Sequence, residues 1–571
     1  MVVGSTVHTD VLVIGGGGAG CRAAVAAHDV GARVVVVVKG ELGRSGATVA
    51  PGSGVAWQAA DGCSGPDDSP DVHFRNIIEA GLGMADPRLA RILASEVLPR
   101  MDDLERWGVR FVPDPAEKKR HFCAYSCFAD QPRAHCILNS GHGHAGDIVL
   151  ALKREMSRRA IEVHEDTFVS DLIVYDGRCV GALGLRSNGG LVTYRAGAVV
   201  LAAGGARWIF PHARGQHLID TTGDGYAMAL RAGARLTNME FAQFTLVPSF
   251  SSPISVPGSF WALFPKIRNR AGEDALVPYL PGGITRQQVM WERTLHFPFS
   301  CRDASCWLDI AVATETREGR GMEEGGLLLD FGEVDLATFR PSRPNHIPED
   351  YARPVILPSG LATVRNAAHA INGGVCIDEQ AQTSVEGLFA AGEVAAGPHG
   401  ADRLGGGMVT SCQVFGARAG RSAAEYARDS DRTEPLGVAF HVPLARIRAR
   451  RGGSRDAEDV FAALQDSTGR NLMVLRNESG LKELLARIEE LRGEWIPQLA
   501  SQTAQLLRRA LEAENALLTA ELMARAALLR QESRGSHFRE DYPARDDHNW
   551  RAKIVLYSRE GELQHVLERF G

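Results

Sequence analysis

The chain has 571 residues, enough for roughly three or four domains around a large buried core. Its 63 basic and 69 acidic side chains give a formal charge of −6, so the sequence lacks the basic excess of a nucleic-acid-binding protein. Its 10 cysteines show no paired C-x-x-C spacing, and this predicts neither a structural zinc site nor an iron–sulfur cluster, so no metal is expected.

The N-terminus and the apolar runs predict a soluble, cytoplasmic protein with reduced thiols. Residues 1–4 lack the charged region followed by an apolar stretch that is typical of a signal peptide. The longest apolar run, residues 34–38, is far shorter than the roughly 20 residues that cross a bilayer. We therefore expect no membrane span and no structural disulfides.

The first predicted elements form a strand–helix–strand unit around a glycine-rich turn. Residues 10–14 are an apolar run typical of a buried strand, and residues 33–38 are a second one. Residues 21–30 between them are rich in alanine and predict a helix that packs closely on a sheet. Residues 15–20 satisfy G-x-G-x-x-G in the position where that pattern binds a dinucleotide.

The glycines of this turn have separate physical roles. Gly15 permits the tight turn, Gly17 lets backbone N–H groups approach a pyrophosphate, and Gly20 allows the helix and the strand to touch. The phosphates would then lie at the positive end of the helix dipole. The second strand ends at Val38 and Lys39, whereas NAD-binding units usually have Asp or Glu there. Lys39 therefore argues against NAD.

Later segments predict further parts of the same domain. Residues 197–205 predict a buried strand that ends in a glycine turn, and residues 222–225 open a helix that Asp224 can cap. Residues 387–393 predict another strand and turn, with Glu393 placed to meet a cofactor hydroxyl. Because long stretches of chain separate these pieces, we expect a split cofactor domain with an insertion.

These motifs resemble the flavoprotein subunit of the succinate dehydrogenase and fumarate reductase family, which includes L-aspartate oxidase. The resemblance runs nearly end to end. It rests on VIGGGGAG at Val13, LAAGG at Leu201, TTGDGYAMALRAGA at Thr221, NMEFAQF at Asn238, CRDAS at Cys301, REGRG at Arg317, AINGG at Ala370, VEGLFAAGEV at Val385, HGADRLG at His399 and RQESRGSHFREDYP at Arg530.

The resemblance implies an α/β fold with a Rossmann-like FAD-binding domain, an inserted α+β capping domain and a C-terminal helical bundle. The expected boundaries are 1–246 and 356–430 for the FAD-binding domain, 247–355 for the cap, and 431–571 for the helical domain. Apolar residues at three- and four-residue spacing in 481–491 and 506–529 independently predict C-terminal helices.

The resemblance also implies which residues bind FAD. They are Gly15, Gly17, Gly18, Ala19, Gly20, Lys39, Ser45, Thr48, Gly52, Ala203, Gly204, Asp224, Glu393, Met408 and Val409. Respiratory members of the family attach FAD covalently through a histidine between the positions of Arg44 and Thr48, where this chain has Ser45, Gly46 and Ala47. We therefore expect non-covalent FAD.

Three residues match family positions that bind and protonate a carboxylate substrate. Arg302 matches the arginine that delivers a proton to the substrate carbon, and a neighbouring carboxylate would replace that proton because guanidinium rarely deprotonates. Asp303 is adjacent, but we expect it to be structural. His369 and Arg403 match the pair that holds a substrate carboxylate, a task that suits the planar fork of arginine.

This chain differs from the family pattern at positions that we expect near the substrate. The family's QFH is Gln243-Phe244-Thr245 here, so Thr245 offers a neutral hydrogen bond where a histidine grips the second carboxylate. In the family, the sequence ANS follows HGANRLG, whereas this chain has Gly406-Gly407-Met408 at those positions. The cap between residues 247 and 299 shows little likeness to the family's cap. We expect these differences to decide the substrate.

Several functions remain open from the sequence. The leading hypothesis is an FAD-dependent dehydrogenase or reductase acting beside a carboxylate. The alternatives are an L-aspartate-oxidase-like amino-acid oxidase and an adenylylsulfate-reductase-like flavoprotein subunit. A further alternative is a flavin-holding subunit whose task is assembly with an iron–sulfur or other electron-transfer partner, because the chain encodes no reductant of its own.

Overall fold

The computed structural model describes residues 3–49, 59–62, 64–111, 113, 120–121, 123–125, 127–134, 146–211, 219–248, 256, 258–323, 325–332, 361–430, 441–450 and 452–570. The strands are β1 (Val3–Ile14), β2 (Val34–Val37), β3 (Cys123–Tyr125), β4 (Pro132–Ala134), β5 (Glu162–His164), β6 (Thr167–Tyr175), β7 (Arg178–Arg186), β8 (Leu191–Leu201), β9 (Leu236–Thr237), β10 (Ala242–Pro248), β11 (Lys266–Arg268), β12 (Leu327–Asp330), β13 (Leu361–Ile371), β14 (Gly374–Val375), β15 (Leu388–Ala390), β16 (Ala552–Arg559) and β17 (Glu562–Arg569).

The helices alternate with these strands in the first half of the chain and dominate after residue 400. They are α1 (Gly18–Asp29), α2 (Pro70–Ala80), α3 (Pro87–Arg106), α4 (Gly146–Arg158), α5 (Asp224–Arg231), α6 (Gly258–Trp261), α7 (Arg286–Arg293), α8 (Cys306–Arg317), α9 (Gly407–Asp429), α10 (His441–Arg448), α11 (Ala457–Asn471), α12 (Glu478–Glu490), α13 (Ala504–Leu529) and α14 (Asp547–Trp550).

The largest sheet carries the glycine-rich turn. Its order is β5-β2-β1-β8-β7-β6, and β15 also pairs with β8. The pairs among β5, β2, β1, β8 and β15 are parallel, whereas β6, β7 and β8 pair antiparallel, so the sheet is mixed. Parallel strands in such a sheet present their carboxyl ends at one edge, where α/β folds bind ligands.

A second, antiparallel sheet has the order β10-β13-β12-β11. It packs with α6, α7 and α8 around its own apolar cluster, which includes the buried Trp261, Ile267 and Leu308. The pairing of β10 with β13 contains a bulge, because Gln243 pairs with Ala370 while Phe244 pairs with Ala368. His369 is the extra residue of that bulge.

The C-terminal part is helical up to α13 and then adds strands that the sequence did not predict. The hairpin β16–β17 joins β9 and β14 in a four-stranded sheet, so a prediction of a purely helical C-terminus was incomplete. The predicted helices at 481–491 and 506–529 correspond to α12 and α13. None of the helices in the described part of the chain combines the length and hydropathy that a membrane crossing requires.

The other predicted elements lie close to their expected positions. The predicted strand 10–14 is the second half of β1, which starts at Val3 because its first half pairs with β8 from Leu191 onward. The domain boundaries remain predictions, and those at 355/356 and 430/431 fall in or beside segments outside the described residues.

Seven cysteines of the described region are free thiols, whereas Cys123 is disulfide-bonded. For Cys123, the expectation of a reduced thiol was therefore wrong. No group of three or more potential metal ligands occurs within the described ranges.

Candidate active site

The glycine-rich turn has the close contacts that its sequence requires. Gly15 has a φ of +112°, and a Cβ there would lie 2.2 Å from the carbonyl oxygen of Ala202 in the turn after β8. A Cβ on Gly20 would lie 1.9 Å from the carbonyl oxygen of Gly15. Any side chain at either position would therefore separate α1 from the sheet.

The N-terminus of α1 has no side-chain cap from its own N-cap residue. Gly17 is its N-cap residue and provides no side-chain cap, so Ala19 and Gly20 in the first turn keep their N–H groups directed out of the helix. Thr48 accepts a hydrogen bond from the Gly18 N–H at 3.2 Å, which places this predicted residue at the turn. Gln413 donates to the Gly18 carbonyl at 3.0 Å, and its buried Oε1 has no partner among the described residues.

These observations fit the diphosphate of a dinucleotide. A helix N-terminus without a cap, beside glycines that admit close approach, binds phosphate through N–H groups and the helix dipole. The orphaned amide oxygen of Gln413 provides a further acceptor for a polar group at that position.

Lys39 and Asp224, both predicted to bind the cofactor, contact each other. Lys39 Nζ lies 2.8 Å from Asp224 Oδ2 and 2.9 Å from Glu512 Oε1, and it also donates to the Asp220 carbonyl and Thr222. This group, Lys39 with Asp220, Thr222, Asp224 and Glu512, is called the Lys39 cluster below. It joins the end of β2 to α5 and α13, so both predicted residues are engaged by protein groups.

The remaining predicted cofactor residues lie at the ends of the central strands. Ala203 and Gly204 follow β8, and Glu393 follows β15, where its Oε1 accepts the N–H of Ile371 at 3.1 Å. Met408 and Val409 are half-buried in the first turn of α9. Ser45 is half-buried in the turn after β2. Gly52 lies outside the described residues.

Arg302 lies in the loop before α8, held on three sides. Its Nε donates to Asp402 Oδ2 at 3.2 Å, its Nη2 donates to the Ala80 carbonyl at 2.8 Å, and its guanidinium lies 4.4 Å from the ring centroid of Phe128. Within the described ranges Nη1 makes no hydrogen bond. Phe128 itself has a φ of +65°, which is rare for a bulky residue.

The carboxylate beside Arg302 is Asp402 rather than the adjacent Asp303. Asp303 Oδ2 lies 3.1 Å from His296 Nε2. Burial opposes ionisation of Asp303, but His296 and Ser305 hold its pKa at about 2. Asp303 therefore contacts His296 instead of Arg302, and its structural role stays a prediction. Asp402 was missed because it is distant from Arg302 in sequence.

Arg403 is a buried cation with neutral partners. Its Nη2 donates to Gln243 Oε1 at 3.0 Å and its Nη1 donates to the Leu404 carbonyl at 3.1 Å. Its Nε has no partner and, among the described residues, no carboxylate lies within ion-pair distance. Burial lowers the pKa of Arg403. A buried guanidinium without a counter-ion is costly, so this position is suited to an anionic ligand.

His369 and Thr245 lie beside the Arg403–Gln243 pair. The bulge between β10 and β13 places His369 opposite Gln243 and Phe244, and bulges commonly re-aim side chains next to active sites. The half-buried ring of His369 packs edge-on against Phe297 at 5.1 Å. Thr245 is fully buried, and its hydroxyl donates to the Phe297 carbonyl at 3.1 Å.

The structure thus brings Arg302, Arg403, His369 and Thr245 to one region, where the sheet of β10, β13, β12 and β11 meets the loop 399–404. The glycine-rich turn and the Lys39 cluster lie at the ends of the parallel strands. Sequence motifs indicated each of these residues separately, but the contact of Arg302 with Asp402 and the stacking on Phe128 carry no local sequence signal.

Comparisons with known proteins agree with this geometry. A sequence profile described as FAD binding domain matches residues 10–409, and one described as fumarate reductase flavoprotein C-term matches residues 462–568. The chain is 35% identical to a component of the fumarate reductase (CoM/CoB) of Methanothermobacter marburgensis, with 98% of each chain covered. It is 27% identical to L-aspartate oxidase of Bacillus subtilis, with 96% of this chain and 94% of the relative covered.

A solved structure extends the likeness to three dimensions. Mycobacterium smegmatis Sdh1 in complex with UQ1 superimposes with a TM-score of 0.83 at 27% identity, covering 99% of this chain and 95% of that one. Both profiles and the full-length relatives agree with the motifs from which the resemblance was drawn. The chain therefore belongs to the succinate dehydrogenase and fumarate reductase flavoprotein family and is an FAD-dependent oxidoreductase.

Proposed function

We propose that this flavoenzyme transfers a hydride between non-covalent FAD and a small carboxylate-bearing substrate. The observation that carries the proposal is Arg403, a buried guanidinium whose partners in the described region are neutral. A substrate carboxylate would supply the missing counter-ion and accept two parallel hydrogen bonds. His369, beside Arg403 on the bulge, would hold the same carboxylate.

The glycine-rich turn, Glu393 and the first turn of α9 would hold FAD, which supplies or accepts the hydride when it is bound. Arg403 and His369 would withdraw charge from the carboxylate and polarise the adjacent carbon–carbon bond. Arg302 would donate a proton to the neighbouring carbon through Nη1, the amino group that its hydrogen bonds to Ala80 and Asp402 leave available. In the reverse direction the same group would accept that proton.

The second substrate group meets a different environment from that of most family members. Thr245 directs its hydroxyl to a backbone carbonyl, so it offers little to a second carboxylate. This supports a substrate whose far end is not a carboxylate, or a dicarboxylate bound with fewer contacts. Fumarate is the first substrate to test because a relative with 35% identity carries the name of a fumarate reductase.

An L-aspartate-oxidase-like activity is the second candidate. It is favoured by the full-length similarity to L-aspartate oxidase and by the absence of a histidine between Arg44 and Thr48. HGADR with Arg403 favours the fumarate type over an adenylylsulfate-reductase-like flavoprotein. The electron donor would be a separate protein or thiol compound, and an iron–sulfur protein is one such partner. Size-exclusion of the native complex distinguishes a free enzyme from one component of a larger assembly.

The decisive experiment is anaerobic. The flavoprotein is reduced with dithionite, fumarate is added, and the return of the oxidised-flavin absorbance is followed. Return of the absorbance supports fumarate reduction. If it does not return, a panel of amino, sulfonyl and longer unsaturated acids follows, and reaction with none of them contradicts the proposal. Reoxidation by oxygen with aspartate turnover would favour the oxidase.

Arg302→Ala separates catalysis from cofactor binding. We expect the variant to keep its flavin, because no predicted cofactor residue contacts Arg302, and to lose turnover, because Nη1 is the proposed proton donor. Retained turnover would remove Arg302 from the mechanism.

A further inference from the structure

Asp402 is a fully buried carboxylate beside Arg302. Its Oδ2 accepts hydrogen bonds from Arg302 Nε at 3.2 Å and from Ser300 Oγ at 2.7 Å. Its Oδ1 is also buried but has no partner among the described residues. Asp402 belongs to the HGADRLG motif that begins at His399, and it lies directly before Arg403.

A small cavity borders Asp402. It lies between α2, α3 and the start of α9, and it is lined by His73, Ile77, Leu93, His399, Asp402, Arg403, Leu404, Gly407 and Thr410. Burial lowers the pKa of His73 to about 3 and that of His399 well below its ordinary value, helped by Arg133 and Arg403 respectively. Both imidazoles are therefore neutral in mildly acidic solution.

We propose that Asp402 is the positioning residue of Arg302, and that protonation of Asp402 weakens its hold on Arg302 and lowers turnover in acid. The inference rests on the proposed function. As a carboxylate, Asp402 fixes Nε while the Ala80 carbonyl and the Phe128 ring hold the rest of the guanidinium. Of these three contacts, the one with Asp402 is the ion pair.

The direction of the pH effect follows from the surroundings of Asp402. Burial raises the pKa of its carboxyl, although Arg302, Ser300 and His296 oppose the shift. Asp402 therefore gains a proton at a higher pH than an ordinary aspartate. As pH falls through that raised pKa, the ion pair with Arg302 Nε is replaced by a weaker hydrogen bond to a neutral acid. The titratable and charged groups facing it are Arg302, His296 and Cys301 from the loop before α8, His73 from α2, and His399 and Arg403 from its own loop.

The first test compares pH profiles of kcat for the flavin-loaded protein and its variants. We expect wild type to lose kcat on the acid side with a pKa above that of ordinary Asp. Asp402→Asn should show a reduced kcat without this acid limb, because its amide still accepts from Nε but does not titrate. The kcat of Asp402→Ala should be at least about tenfold below that of wild type, because the charged acceptor is gone.

Asp303→Asn is the matched control, since it removes a nearby carboxylate that binds His296 instead of Arg302. Its acid limb should remain, because the pKa of Asp303 is already about 2. An acid limb that is unchanged in Asp402→Asn would overturn the proposal, as would its loss in Asp303→Asn.

The second readout does not depend on turnover. In protein labelled with 15N at arginine Nε, the Arg302 resonance is identified by its absence from Arg302→Lys and is followed against pH. We expect it to shift with the titration of Asp402 in wild type and to stay constant in Asp402→Asn. A resonance that does not move in wild type overturns the inference. If no acid is turned over, the proposed function fails, while this titration still decides whether Asp402 controls Arg302.

Discussion

Replacing Glu512 with glutamine tests the Lys39 cluster, because glutamine keeps the shape of the side chain but removes its charge. Burial disfavours the Glu512 carboxylate, yet the charges of Lys39, Arg508 and Arg509 hold its pKa at about 2, below an ordinary value of 4.5. A difference of roughly 2.5 pKa units corresponds to about 3 kcal/mol. We therefore expect Glu512→Gln to lower the free energy of unfolding by about 3 kcal/mol at pH 7.

The pH dependence has a defined sign. A depressed folded-state pKa adds stability above pH 4.5, and this stability is lost as pH falls from 4.5 towards 2. The difference in free energy of unfolding between wild type and Glu512→Gln should therefore be constant from pH 7 to 5.5 and should decrease below pH 4.5.

The assay is urea unfolding of the flavin-loaded protein at several pH values, with flavin fluorescence as the local probe. Glu489→Gln is the control, since Glu489 is exposed on α12 and its loss should change stability by less than about 0.5 kcal/mol. A destabilisation of under about 1 kcal/mol for Glu512→Gln would refute the reasoning. A difference in free energy of unfolding between wild type and variant that increases in acid would refute it as well.

Three further predictions concern the cofactor and the substrate. Acid precipitation should release the flavin into the supernatant, because no histidine lies between Arg44 and Thr48; a coloured pellet would contradict this. Gly20→Ala should purify without flavin, since its Cβ would lie 1.9 Å from a backbone oxygen, whereas Gly282→Ala, with open space around it, should purify yellow. Arg403→Gln should raise KM at least about tenfold, because a buried charge pair with the substrate is lost; an unchanged KM would exclude Arg403 from binding.

The cofactor half could be predicted from sequence because its signals are local. The turn at residues 15–20 follows a strand and opens a helix within one short segment, and steric needs at Gly15 and Gly20 leave few alternatives. The strand and turn around Glu393 are also defined by their immediate neighbours.

The contacts that complete the site join residues far apart in the chain. Lys39 reaches Glu512, and Arg302 reaches Asp402, through pairings that no periodicity encodes. His369 carries a family signal, but the bulge that aims it depends on the register of β10 against β13. The hairpin β16–β17 was missed because the helices before it dominate the pattern and its strands do not alternate: β16 has a run of apolar residues and β17 is almost entirely exposed.

The Lys39 cluster also sets the order of events during synthesis. Lys39 emerges early from the ribosome, but Glu512 and Asn515, which bind Lys39 and Asp224, belong to a helix near the end of the chain. The hairpin that completes the sheet of β9 is translated later still. The nascent N-terminal half therefore pairs Lys39 with Asp224 alone until almost the whole polypeptide is made. The Lys39 cluster is accordingly completed only when α13 has been made, and we expect chains truncated before α13 to be less stable than the full chain.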